Sequence, residues 1–205
     1  MKYYIKEAAF AFIYMIFTDI TAVCVLFISE ELLWVRILLA VLNLVLYAAV
    51  VAAASYKEGQ TSVKVRAAND LEREIIVKTG EDRPLKLLEE YKPYKGFLIG
   101  FITCIPLLIL LALHAVFYFA ADYKTLGGIG AFLYFTFYVF FSLNRGTSAT
   151  EITTTSNTAW YNVYGSLIAI PIVMLITGVS YLLGARKIIK QQEMIEEKQK
   201  SIYGE

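Results

Sequence analysis

The sequence predicts an all-α integral membrane protein with four transmembrane helices and one aromatic-rich re-entrant or interfacial helix on the outer side. Three observations lead there. The 205-residue chain is 58% hydrophobic and 18% charged, with a mean hydropathy of +0.58, whereas a soluble domain is nearer ~45–50% apolar and ~25% charged. Four apolar stretches reach the about 20 residues that a helix needs to cross a ~30 Å hydrocarbon core. Lys and Arg gather on one side of the topology that these stretches imply, which sets the orientation. The composition excludes a disordered chain, a collagen-like chain and a disulfide-stapled secreted module. A net charge of +1 gives no ground for nucleic acid as a partner.

The first span is Ala8–Ile28, carrying Asp19 and Cys24. It is long, and no small-residue cleavage pattern precedes a soluble domain, so it reads as a retained span and not a signal peptide. The second, Leu32–Ser55, opens beside Trp34 and carries Arg36 and Asn43. Residues 56–95 then form the only sizeable soluble segment, with nine basic and eight acidic residues. Val63 and Val65 alternate weakly there, while Ala67, Ala68, Leu71 and Ile75 have helical spacing. Gly80 stops that helix, and Asp82-Arg83-Pro84 signals a short one running to Glu90. Forty residues with about five aliphatic anchors cannot build a core of their own. The segment is therefore expected as a helical hairpin against the membrane surface or a partner, or as a solvated connector.

Pro93 and Gly96 lead into the third span, Phe97–Ala121, whose start carries a Gly96–Gly100 GxxxG spacing that lets helices approach closely. His114 and Cys104 lie within it. Gly127–Leu143 is shorter and dense in aromatic rings, which favour the membrane–water boundary. Three glycines, Gly127, Gly128 and Gly130, open it and loosen its backbone, making them candidate gating positions. The loop 144–162 is polar and threonine-rich, and Trp160, Tyr161 and Tyr164 mark its return to the interface. The fourth span is Val163–Gly184. Ala185–Gln199 extends it as a helix in which Ile188, Gln192 and Ile195 share a face, within a cytoplasmic tail of residues 185–205. The whole chain is one membrane domain, with no internal repeat of the transporter kind.

Orientation follows from the basic residues. Four spans with an inner N-terminus place Lys2 and Lys6, the nine from Lys57 to Lys95 and the five from Arg186 to Lys200 inside, sixteen in all, against Lys124 and Arg145 outside. A full crossing by Gly127–Leu143 would leave twelve inside against six outside. The four-span arrangement, with both termini cytoplasmic in the cell membrane, is the better one.

The polar residues inside the spans are the candidate site. Asp19 lies about 13 Å below the outer end of its helix, Arg36 about 6 Å, Asn43 about 16 Å and His114 about 10 Å, at 1.5 Å per residue. Arg36 and Asn43 are seven apart and share a face. Each ionisable group is costly to insert, ~2.5–3.5 kcal/mol at the helix centre, which marks the four as an ion, proton or ligand path opening outward. The alternative is a self-satisfied Asp19–Arg36 pair, with Asn43 hydrogen-bonded between helices. Pro106 and Pro171 kink their helices and free backbone carbonyls.

No cofactor or metal is expected. The chain has one histidine, and its two cysteines lie in different spans without CxxC spacing. No nucleophile motif or phosphate loop is present, so an enzyme is not the expected reading. The run KPYKGFLIGFITCIPLLILL, the aromatic outer segment and VYGSLIAIPIVMLITGVSYLLGARK, together spanning Tyr94 to Lys187, resemble small uncharacterised multi-pass membrane proteins of Gram-positive bacteria. That resemblance implies a cytoplasmic C-terminus and carries no activity with it. Two functions are expected from the residues. The leading one is an oligomeric channel or transport component, to which the second is the alternative; four helices make a thin pore wall, so it needs a homo-oligomer. The other is a non-catalytic partner or regulatory subunit that meets another membrane protein through the charged loop and tail. The lipid bilayer is the partner common to both.

Overall fold

The computed structural model describes residues 2–26, 28, 32–80, 84–120 and 166–203. Among them the chain is about 90% helical and has no strand. Helix α1 is Lys2–Leu26, α2 is Leu33–Thr79, α3 is Lys95–Ala120, and a 3₁₀ turn at Ser166–Ile168 leads into α4, Ala169–Tyr203. Two stretches, Ile37–Thr79 of α2 and Ala169–Ile202 of α4, are long and apolar enough to cross a membrane. Gly127–Leu143, including Gly127, Gly128 and Gly130, lies outside the described residues.

α4 packs along both α2 and α3, and α1 packs against the same two helices. The bundle therefore sets α1 diagonally across from α4 and α2 across from α3. One core joins all four: Ala11 and Met15 of α1, Tyr47 and Val51 of α2, Cys104 and Leu107 of α3, Ala169 and Val173 of α4. Away from that core, α1 exposes Ile13, Phe17 and Ile20, and α2 exposes Leu38, Val45 and Leu46. Apolar surface this continuous is unfavourable in water and needs lipid or protein against it.

α2 runs 47 residues without a break, through the segment where Val63 and Val65 alternate. The reason lies on its inner face. Gly59, Ser62, Val63 and Asn69 are all buried and recur at helical spacing, so tertiary contacts hold the helix where its hydrophobic pattern fades. Gly59 and Gly184 permit a very close approach of α2 to α4. A methyl on Gly59 would strike the Tyr181 carbonyl oxygen of α4, and a methyl on Gly184 would strike the Tyr56 carbonyl of α2. The two helices thus meet backbone to backbone, as small-residue contacts allow. Gly96 and Gly100 likewise face α4, against Tyr181 and Thr177.

α2 ends where the sequence says it should. Gly80 takes the left-handed conformation at φ 71°, and its N–H donates to the Ile76 carbonyl at 2.8 Å, a glycine cap no other residue adopts as easily. The short helix expected through Glu90 does not form; residues 87–90 are turns and a bend. A side chain and a backbone carbonyl of α2 satisfy this stretch of chain instead. Asn69 accepts the Lys86 N–H at 3.2 Å, and the Ser62 carbonyl accepts the Tyr91 N–H at 3.1 Å. So short a stretch cannot repay the cost of helix nucleation once its donors are taken elsewhere.

Candidate functional site

Asp19 sits on α1, Arg36 and Asn43 on α2, and His114 on α3. The side chains of Asp19, Arg36 and His114 lie outside the described residues. Asn43 is described, and it joins two helices. Its Nδ2 donates to the Thr18 carbonyl at 2.8 Å, and its Oδ1 accepts from Thr21 Oγ1, also at 2.8 Å. Both ends of the amide are thus engaged by α1, the helix that carries Asp19.

The site that stands out is at the opposite end of the bundle and centres on Lys95. This lysine opens α3 and is 0% exposed. Its Nζ lies 2.8 Å from Ser62 Oγ, 2.9 Å from the Glu89 carbonyl oxygen and 3.3 Å from Glu58 Oε1. An ammonium has three N–H donors, and three acceptors surround this one. The Tyr3 ring covers it at 4.2 Å from the centroid, a favourable placement for a cation over an aromatic face. Glu58 Oε1 in turn accepts from the Tyr3 hydroxyl and from Ser62 Oγ at 2.9 Å. Ser62 therefore donates to the carboxylate while accepting from the lysine. The polar groups of α1, α2, α3 and the loop before α3 converge on one charge pair.

Burial pushes the Lys95 amine below its ordinary value, and Glu58, by charge and hydrogen bond, is the chief group resisting that shift, with Glu89 and Glu7 behind it. A buried ammonium so placed is tolerable only because it is paired and fully hydrogen-bonded. Beside the pair, Tyr91 stacks on Tyr181 at 5.9 Å with the rings nearly parallel. A cavity of about 20 Å³ lies between the helices, lined among others by Glu7, Ser55, Glu58 and Tyr181, enough room for one water.

A second clamp lies further along α2. Glu90 accepts from Asn69 Nδ2 at 2.8 Å and pairs with Arg73 at 2.5 Å, and Arg73 also reaches Asp70 at 2.5 Å. The Arg73 side chain is 42% exposed, so its ion pairs add little stability in water; the buried Asn69 does more to fix the loop. Chemically, the arrangement is a lock. It fastens residues 84–94 to α2 at two levels.

Sequence reasoning placed Lys95 only among the basic loop residues. Its partners, Tyr3, Glu58, Ser62 and Glu89, are scattered over the N-terminal half of the chain, and no single spacing links them. Glu58 and Ser62 at i and i+4 were the one local signal, since residues four apart meet on a helix. Among the described residues no group of His, Cys, Asp and Glu is arranged to hold a metal ion. Compared with protein-family models, curated proteins and solved structures, the chain matches none.

Proposed function

We propose that the chain is a non-catalytic partner or regulatory subunit of a larger membrane complex, presenting a preformed cytoplasmic arm to another protein. In this reading four helices cross the cell membrane, at about 8–28, 32–55, 97–121 and 163–184, with both termini inside. From Tyr56 to Thr79, α2 then projects roughly 36 Å beyond the bilayer, and α4 projects roughly 28 Å from Ala185 to Tyr203. The observation that carries the reading is the combination of buried anchors and exposed apolar groups on this arm. The loop is locked to α2 by the buried Lys95 cluster, yet Leu71, Val77, Leu87 and Leu88 stand 62%, 84%, 52% and 50% exposed. A solvated connector has no need of buried anchors, and a charged surface that displays leucines suits a protein partner.

The test is a photo-crosslinking residue placed at Val77 or Leu87 in living cells. Both positions should yield an adduct to the same second protein. Self-adducts alone, or none, would count against the subunit reading.

A homo-oligomeric channel or transport component is the second reading. It draws support from the exposed apolar faces of α1 and α2, which another copy would cover as well as lipid does. A symmetric ring with a continuous polar lumen in detergent would favour it.

Topology has its own check. In a background lacking Cys24 and Cys104, Ser148→Cys should react with a membrane-impermeant thiol reagent in intact cells, because it lies on the side with two basic residues and not the side with sixteen. Reaction only after permeabilisation would contradict four spans with inner termini.

A further inference from the structure

Between α1 and α2, next to the Lys95 cluster, runs an open groove of about 480 Å³, within the size range of ligand-binding clefts. Lys6 and Lys57 line it together with the apolar Ala9, Phe10, Ile13 and Ala54. Both lysines are exposed and have no ion pair among the described residues. Glu58 also borders the groove, but its Oε1 already receives Tyr3, Ser62 and Lys95. Glu7 is the other carboxylate on the groove, and Lys6, Lys57 and the adjacent Lys95 outnumber the two carboxylates, so the groove is net positive. The groove straddles a boundary in the sequence as well. α1 turns apolar from Ala8 onward, and α2 turns polar after Ser55. The lysines therefore fall on the headgroup side and Phe10, Ile13 and Ala54 on the acyl side.

From this geometry we infer that the groove binds one anionic glycerophospholipid, its phosphate between Lys6 and Lys57 and an acyl chain along Phe10 and Ile13. The inference rests on the membrane-spanning reading of α1 and α2 but not on the proposed partner. A free phosphate would use the lysines and leave the apolar floor open. Lipid uses both, and basic residues at the membrane surface favour anionic headgroups.

Native mass spectrometry of the full chain in mild detergent tests this, with phosphatidylglycerol, phosphatidylcholine or inorganic phosphate added. One phosphatidylglycerol should be retained per chain, with phosphatidylcholine held at least about tenfold more weakly. Lys6→Gln/Lys57→Gln should lose at least about tenfold in phosphatidylglycerol binding, while Lys187→Gln/Lys190→Gln in α4 retains it. Inorganic phosphate should not displace the lipid. Thermal unfolding without added lipid checks that the double variant folds; if it does not, Lys57→Glu alone, a charge reversal at one exposed position, should show the loss. Equal retention of the two lipids, unchanged binding in the folded lysine variants, equal loss in the α4 control, or displacement by phosphate would each overturn the inference. Because the chain is purified without a partner, a failed crosslinking experiment leaves this result standing.

Discussion

Lys95→Met should destabilise the protein by about 3–5 kcal/mol, the usual effect of stranding one member of a buried ion pair. The methionine fills the lysine's volume, so the loss comes from Glu58, whose side chain is only 13% exposed and would keep its charge without a cation beside it. Glu58→Gln/Lys95→Met should recover most of that loss, because a buried pair replaced on both sides is often nearly neutral. Thermal unfolding in detergent reads all three proteins. The pH profile adds a second readout. Burial holds the Lys95 amine below its ordinary 10.5, so the unfolded chain binds that proton more tightly. Stability should then rise with pH through the window between the folded value and 10.5. Lys95→Met should lose this contribution. If the single and double variants were equally damaged, or the slope unchanged, the pair would not be the anchor described above.

Gly184→Ala is expected to have the next largest effect, about 1–3 kcal/mol and toward the upper end. The added methyl meets a backbone oxygen, that of Tyr56, and not the end of a side chain that could swing away. α2 and α4 would have to separate, loosening Gly59 against Tyr181 as well. Gly80→Ala makes a useful contrast. It meets no atom nearby, but Gly80 holds a positive φ, so its cost of about 1 kcal/mol should fall on the end of α2 alone. Melting temperature and the elution profile in detergent separate the two outcomes. A Gly184→Ala protein as stable as its parent would show that the backbones have room to spare.

The helical class could be read from hydropathy, and Gly80 could be read as a stop from its position after a periodic run. The continuity of α2 through residues 56–66 could not. Its buried face consists of Gly59, Ser62, Val63 and Asn69, of which only Val63 is a sizeable apolar group, so hydrophobic periodicity is nearly silent there. The turn at 87–90 misled for the opposite reason. Proline after acidic residues is a sound helix start, but Asn69 and Ser62 capture the backbone donors that such a helix would use. The site was harder still. Polar residues within apolar stretches attract notice because inserting them in a membrane is costly, and Asn43 is hydrogen-bonded between α1 and α2. Lys95 drew none, since charge counting assigns a lysine at a span's edge to solvent, and four partners from distant parts of the chain take it out of water.

On this reading residues 84–94 are fastened to α2 before any partner arrives. Hydrogen exchange on the isolated chain in detergent measures this directly, at the Lys86 and Tyr91 amides that donate to Asn69 and Ser62. Both should exchange far more slowly than an unstructured peptide, and Lys95→Met should speed Tyr91 more than Lys86, because the lysine anchors the nearer end of the loop. Exchange at unstructured rates in the parent protein, slowing only when a partner is bound, would contradict the claim.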